Sequence, residues 1–406
     1  MKRRTFIQTT GLASTLPLIQ PKYSWANSNQ TGDENILIVV FLGGGADGLN
    51  IIAPMGDGNY FDLRPTLALQ EPNTGEGSSL DLDGFFAMHP TMTKLHQRFV
   101  NGDLAVVHAT GLTSDSHSHF TSQDLMQRGI VLEEAVSQNQ GWINRHLTAL
   151  NNQASVFQAV GIGSTLPRSL IGEFPALSMS SVEDFGLNAN SIVGPVLENS
   201  FKAIYDQASL LDVEAQKALS AMSELREADP GQYQPQNGAV YPQTQFGQNF
   251  MEVGQLIRAD LGMTTASLVI HGWDHHDNIE AVLPGILTEL SDTLDAFATD
   301  MGVDMERITV VTMSEFGRRA YENGSAGFDH GHGGFMLAMG GGVLGGQVYG
   351  QWPGLAAENL VYTGDLDITT DYRTVLAELL SKRFGQNDFS AVFPDWLPET
   401  ELGMFV

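Results

Sequence analysis

The chain has 406 residues, 42% hydrophobic and 17% charged, with 20 Lys+Arg against 47 Asp+Glu and a formal net charge of −27. The apolar share suffices for a large core and excludes collagen-like, disordered and integral-membrane classes; so acidic a chain has no general attraction for nucleic acid or anionic lipid. With 0 Cys, disulfides, zinc fingers, iron–sulfur clusters and cysteine nucleophiles are excluded.

Residues 1–26 read as a secretory leader. Lys2, Arg3 and Arg4 precede a weakly apolar run from Thr9 to Ile19, and Ser24-Trp25-Ala26 supplies a small-x-small cleavage signal. The Arg3-Arg4 pair before Thr5-Phe6-Ile7 is similar to a twin-arginine signal, whose cargo crosses the membrane folded. The run is short for a spanning helix and contains Pro17. Cleavage after Ala26 removes Lys2, Arg3, Arg4 and Lys22 and no acid, so the remainder is more acidic still. No later stretch reaches the ~20 apolar residues of a membrane helix. The expectation is export by the twin-arginine pathway to the periplasm or beyond, with no stable membrane span after leader cleavage.

Residues 27–406 read as a single α/β domain. Asn35–Leu42 is a continuous apolar, β-branched run that ends at three glycines, the pattern of a strand buried on both faces of a parallel sheet. Similar runs recur at Leu104–His108, Ser155–Val160, Ala266–Ile270, Ile308–Met313 and Phe335–Met339. Helical periodicity lies between them. Leu197, Phe201, Ile204 and their successors to Met222 mark one helix, Phe246 to Leu261 another, and Val282, Ile286, Leu290, Leu294 and Phe297 a third. A last helix covers Tyr372 to Lys382. The segment 229–245, rich in Pro, Gln and Gly, reads as a linker or surface loop. Strand–helix alternation predicts a mostly parallel sheet flanked by helices.

In such a sheet, ligands bind beyond the carboxyl ends of the strands. Ile36–Leu42 runs into Gly43-Gly44-Gly45-Ala46-Asp47-Gly48; Leu104–His108 into the polar stretch Thr110–Ser122; Ala266–Ile270 into His271-Gly272-Trp273-Asp274-His275-His276-Asp277; Ile308–Met313 into Ser314-Glu315-Phe316-Gly317-Arg318. Asp329-His330-Gly331-His332 then leads into the next strand. Of 11 histidines, those at 117, 119, 271, 275, 276, 330 and 332 lie in these segments, each group with a carboxylate beside it. Carboxylate plus imidazole is the ligand set of Zn²⁺, Mn²⁺ and related divalent ions. Residues i and i+2 of an extended segment share a side, which pairs Asp274 with His276 and His330 with His332. Asp329 is a candidate to hold an imidazole from behind. Glu315 directly follows a strand and is a ligand candidate; Arg318 could contact an anionic substrate or pair with a carboxylate.

Gly43-x-Gly45-x-x-Gly48 matches the letters of a dinucleotide fingerprint. Pro54 leaves no room for the long helix that motif opens, and the charge of Asp47 would oppose a pyrophosphate. No Gly-x-Ser-x-Gly elbow and no His-Glu-x-x-His helix occurs. A side-chain nucleophile would come from Thr110–Ser122, with Ser116 and Ser118 nearest to His117 and His119, although hydroxyls at a helix start also serve as caps.

The chain resembles the exported bacterial family known as domain of unknown function 1501, a branch of the alkaline phosphatase/sulfatase superfamily. The resemblance is carried by Arg3-Arg4, FLGGGADGLN at 41–50, SHFTSQDLMQRG at 118–129, GWDHHDN at 272–278, MSEFGR at 313–318, DHGHGG at 329–334 and GGQVYG at 345–350. It implies an alkaline phosphatase-like three-layer α/β/α sandwich with a metal-dependent phospho- or sulfo-ester site above the strand ends. It implies Asp47, Asp274, His276 and His330 as metal ligands, with Glu315 where the superfamily has an Asp-His pair. It places Ser118 in the region of the nucleophile. Together with the reading of the residues, it gives Asp47, Asp274, His276, Glu315, His330 and His332 as the expected metal set and Ser118, His119 and Arg318 as the expected catalytic set. The cofactor expected is a divalent ion, zinc first, with manganese, calcium or magnesium as alternatives. The expected ligand is an anionic ester, carbohydrate-linked esters included, and the expected partner an exported protein. The Ser314-Glu315 departure and the unassigned nucleophile motivate the other reading, a secreted binding or envelope-assembly protein on the same scaffold.

Overall fold

The computed structural model describes residues 34–406 apart from 133–138, 153–154, 184, 186–199, 201–217, 227–231 and 363. The leader therefore lies outside the described residues, as does most of the helix expected over Leu197–Met222.

The first strand, β1 (Ile36–Gly43), is buried over all eight residues. Its side chains alternate between two separate cores. Ile36, Ile38, Val40 and Leu42 enter one; Leu37, Val39 and Phe41 enter the other. A strand whose two faces are both apolar cannot lie at a surface, so helices must cover it on both sides. On the first face, Phe246, Phe250 and Val253 of the helix Gln245–Arg258 pack with Leu283, Leu287, Leu290 and Leu294 of the helix Ile279–Met301. On the second, Trp142 and Leu147 of the helix Trp142–Leu150 join Val375, Leu376 and Leu379 of the helix Tyr372–Phe384. The result is a three-layer α/β/α sandwich.

Short strands β2 (Ile52–Ala53), β3 (Leu80–Asp81) and β4 (Ala87–Met88) form a small sheet of their own. Among the described residues, the main sheet has nine strands: β1, β5 (Leu104–Gly111), β6 (Ala159–Ile162), β7 (Leu177–Met179), β8 (Thr265–His271), β9 (Ile308–Met313), β10 (Gly334–Gly340), β11 (Val348–Tyr349) and β12 (Thr370–Asp371). Their order is β11-β5-β10-β9-β1-β8-β6-β7, with β12 also paired to β5. The pairings of β1 with β8 and β9 are parallel, and Gly43 is in register with His271. Among these described strands, β10 alone runs against its neighbours, β5 and β9.

That reversal positions the site. The carboxyl ends of β1, β5, β8 and β9 share one rim, and because β10 is antiparallel its amino end opens on the same rim. Residues 329–333, just before β10, therefore meet the loops that follow the other strands. The expected strand at Ser155–Val160 is displaced to Ala159–Ile162. The segment read as a linker or surface loop is tied down in its described part: the hydroxyls of Tyr233 and Tyr241 and the backbone N–H of Gln236 all donate to the fully buried Asp300.

Candidate metal centre

Four side chains from three loops converge on the rim. Oδ1 of Asp274 lies 3.0 Å from His276 Nε2, 3.3 Å from His119 Nε2 and 3.4 Å from His330 Nε2. His276 Nε2 and His330 Nε2 are themselves 2.9 Å apart. Within this group, one ligand atom each from His119, Asp274 and His330 lies within 4.8 Å of the others.

The backs of the imidazoles explain why they point inward. His119 Nδ1–H donates to Glu315 Oε1 at 2.8 Å, His276 Nδ1–H to Asp329 Oδ1 at 3.1 Å, and His330 Nδ1–H to the carbonyl of His117 at 2.7 Å. An acceptor on Nδ1 fixes the tautomer and leaves the Nε2 lone pair facing the cluster, the arrangement found behind metal-bound histidines. The ring of Phe316, itself buried, packs against both His119 and His330, with centroids 4.7 and 5.0 Å away. His119 Nε2 is buried without a hydrogen-bond partner. Lone pairs that face one another at such distances repel unless a proton or a cation lies between them. Burial, with the charge of Arg318 beside it, lowers the pKa of His330, which disfavours the proton. The donor set, three imidazole nitrogens and one carboxylate oxygen, suits a divalent ion of the zinc type.

Asp274 is half exposed, and its partner Arg318 is 1% exposed at the side chain. Partial burial alone would raise the carboxyl pKa, but the 2.7 Å bond from Arg318 Nη2 and the Arg318 charge hold it at about 2. The rest of Arg318 goes mostly to backbone: Nε donates to the Gly45 carbonyl, Nη2 also to those of Gly44 and Trp273, and Nη1 to that of Phe328, with His276 Nε2 3.5 Å from Nη1. One guanidinium thus fastens the loop after β1, the loop after β8 and the segment before β10 to each other. Gly44 permits the contact. Its φ is +129°, and a Cβ there would stand 2.6 Å from the Asp274 backbone nitrogen.

The family follows from the length of the match rather than from the cluster. The chain belongs to the family described as "Protein of unknown function (DUF1501)", whose model covers residues 34–396. No curated protein matches it. Solved structures with a similar trace include the C-terminal periplasmic domain of EcEptC from Escherichia coli. That domain alone gives 11% identity over 93% of this chain and 92% of that chain, TM-score 0.37. Its complex with Zn gives 9% over 77% and 75%, TM-score 0.35. Alkaline phosphatase from the Antarctic bacterium TAB5 gives 8% over 78% and 95%, TM-score 0.32. At this distance the likeness assigns no chemistry to the DUF1501 chain. Among the described residues, no helix is long and apolar enough to cross a membrane.

Other residues singled out in the sequence lie around the cluster rather than in it. Asp47, expected as a ligand, caps the short helix Gly48–Ile51, and both its oxygens are taken by the fully buried Arg64, at 2.7 and 3.0 Å. Glu315, also expected as a ligand, stands behind His119. It is 1% exposed and accepts from Gly44 N–H and from Gln123 as well. His332, expected beside His330, is buried against Tyr362 with ring centroids 5.0 Å apart, and burial lowers its pKa. The backbone bridge that pairs Arg318 with His330 directs the two histidines to different surroundings. Ser118 is an exposed helix cap whose side chain makes no capping bond. Arg318, expected to meet substrate, has its nitrogens turned to protein groups. His119, expected in a catalytic role, is a cluster member. Gln123, four residues on, shares its helix face and its acceptor Glu315; that i, i+4 spacing is the sequence signal for the pair. Arg64 and the His117 carbonyl have no comparable signal.

Proposed function

We propose that this chain is an exported, divalent-metal-dependent hydrolase of phosphate or sulfate esters. The observation that carries the reading is the convergence of His119, His276 and His330 on one oxygen of Asp274, each imidazole held from behind by an oxygen acceptor. His119, Asp274 and His330 would hold the ion and His276 would complete the set, with zinc the best match to a nitrogen-rich group of four. A divalent ion supplies positive charge to an ester oxygen and to a developing alkoxide. The residues contribute the rest. Arg318 keeps Asp274 ionised and in place. Glu315, Asp329 and the His117 carbonyl orient the rings before substrate arrives, so little reorganisation remains during reaction.

A cavity of about 460 Å³ opens beside the cluster. Among the described residues, no serine or threonine lines it, so this reading takes water as the attacking group. The same observation favours the second reading, a non-catalytic binding or envelope-assembly protein with an exported partner. A twin-arginine leader and a periplasmic or extracellular site fit both. Purified protein should take up zinc, manganese, calcium or magnesium in near-stoichiometric amount, and aryl phosphate or aryl sulfate turnover should vanish in Asp274→Ala. Folded protein that takes up none of these ions would refute the hydrolase. Bound metal with no turnover over a broad ester panel, together with a stable envelope partner, would select the second reading.

A further inference from the structure

The cavity beside the cluster is lined by His117, His276, Arg319, Asp329, His330 and Tyr362. Arg319 and Arg318 are adjacent in sequence and opposite in role. In the extended run they share, neighbouring side chains point to opposite sides: Arg318 bridges to His330 and Arg319 to Asp365. Arg318 is committed to protein acceptors and is 1% exposed, whereas Arg319 lines the cavity and is 29% exposed. Its Nη1 donates to the Tyr321 hydroxyl, and its guanidinium carbon lies 5.6 Å from the centre of that ring. Its Nε is buried and forms an ion pair with the fully buried Asp365, 3.8 Å from Oδ1; neither atom has a hydrogen-bond partner among the described residues. That separation is too long for a hydrogen bond. A guanidinium steadied by Tyr321 and Asp365 yet partly exposed, in the wall of a cavity that also holds two of the cluster imidazoles, is a fork suited to a tetrahedral oxyanion. In a chain with more than twice as many acids as Lys+Arg, a cation is not placed there by composition.

We infer that Arg319 is the substrate-binding residue that takes the non-reacting oxygens of a phosphate or sulfate group, opposite the metal cluster. The inference rests on the proposed metal-dependent reading. A dianionic monoester head in this cavity would meet both the guanidinium and the cluster imidazoles that line it. A neutral carboxylic ester offers nothing for this fork and is not the substrate class.

The experiment uses the full chain loaded with zinc, as wild type and as Arg319→Gln and Arg319→Lys. Zinc stoichiometry is measured first and is expected to be the same in all three. Inorganic phosphate and inorganic sulfate are then titrated by calorimetry, which also tells which oxyanion the site prefers. Affinity for the preferred anion should fall at least about tenfold, or 1.4 kcal/mol, in Arg319→Gln, with Arg319→Lys between the two because it keeps the charge and loses the fork. Equal anion affinity in wild type and a folded, zinc-loaded variant overturns the inference and leaves the metal reading intact. So does wild-type protein that holds zinc and binds neither anion. If wild type takes up no zinc, the proposed function fails and this inference fails with it. Thermal unfolding of each variant identifies loss of fold, and if Arg319→Gln does not fold, Arg319→Lys decides.

Discussion

Oε1 of Glu315 lies 2.8 Å from Nδ1 of His119, and the same oxygen accepts from Gln123 and from the backbone of Gly44. The carboxylate therefore sits where it can orient an imidazole, not where it can reach an ion already faced by His119 Nε2. Replacement by Gln keeps the shape and removes the charge that strengthens His119 as a donor. Zinc affinity of Glu315→Gln is expected to drop about 10–100-fold with stoichiometry preserved at saturation. Competition with a chelator of known affinity measures it. A variant that loses the ion altogether would make Glu315 a direct ligand.

Asp47 makes the opposite case. It is paired with Arg64 through two oxygens, both side chains are almost wholly buried, and the Arg64 guanidinium also stacks on Phe328 with its carbon 3.8 Å from the ring centre. Breaking such a pair strands a charge in the interior, at a cost of about 3–5 kcal/mol. Asp47→Asn should lower stability by that order in urea unfolding while the folded protein still takes up zinc. Loss of zinc at unchanged stability would return Asp47 to the ligand set.

These two residues mark where the sequence is legible and where it is not. The strands announce themselves because β1, β5, β9 and β10 are buried on both faces, so most positions are apolar and the run has no alternation to obscure it. The polar rim is legible for the same reason: chemistry-bearing residues can only follow where the apolar run ends. Which acid touches an ion is decided by tertiary neighbours. Asp47 and Glu315 both follow buried strands, yet one meets Arg64 and the other His119, and nothing local distinguishes them. The direction of β10 is equally silent in its sequence, though it brings His330 to the rim. Arg318 and Arg319 differ only in which side of one extended run they occupy.

Burial pushes three histidines outside the cluster, His89, His108 and His146, down to about 4. A folded-state pKa below the ordinary value of about 6.5 means that the unfolded chain binds more protons in between. Stability is therefore fully present above pH ~6.5 and is lost as pH falls toward about 4. The metal-free protein should show this loss in urea unfolding at pH 7.5, 6, 5 and 4, well above the range in which Asp274 protonates. His108 donates from Nε2 to the Ile52 carbonyl at 2.9 Å. His108→Gln, which cannot take up a proton, should flatten the profile even if it lowers stability at pH 7.5. An unchanged slope would assign the acid sensitivity to other groups.

The loop after β1 ties the support of the cluster together at one residue. Gly44 donates its N–H to Glu315, its carbonyl accepts from Arg318, and its φ is +129°. An alanine there would be strained by conformation and would also press on the backbone of Trp273 and Asp274, at 2.9 and 2.6 Å. No flexible side chain is available to yield. Gly44→Ala is expected to cost about 1–3 kcal/mol of stability and to weaken zinc binding, because Asp274 must move to make room. Gly58 is the matched control: it lies in ordinary right-handed backbone, with φ −58°, and a Cβ there would meet nothing within 4 Å. Gly58→Ala should leave zinc binding unchanged and stabilise the fold by about 0.4–1 kcal/mol through the unfolded chain. Equal behaviour of the two variants in calorimetry and urea unfolding would mean that the Gly44 contact does not hold Asp274 in position.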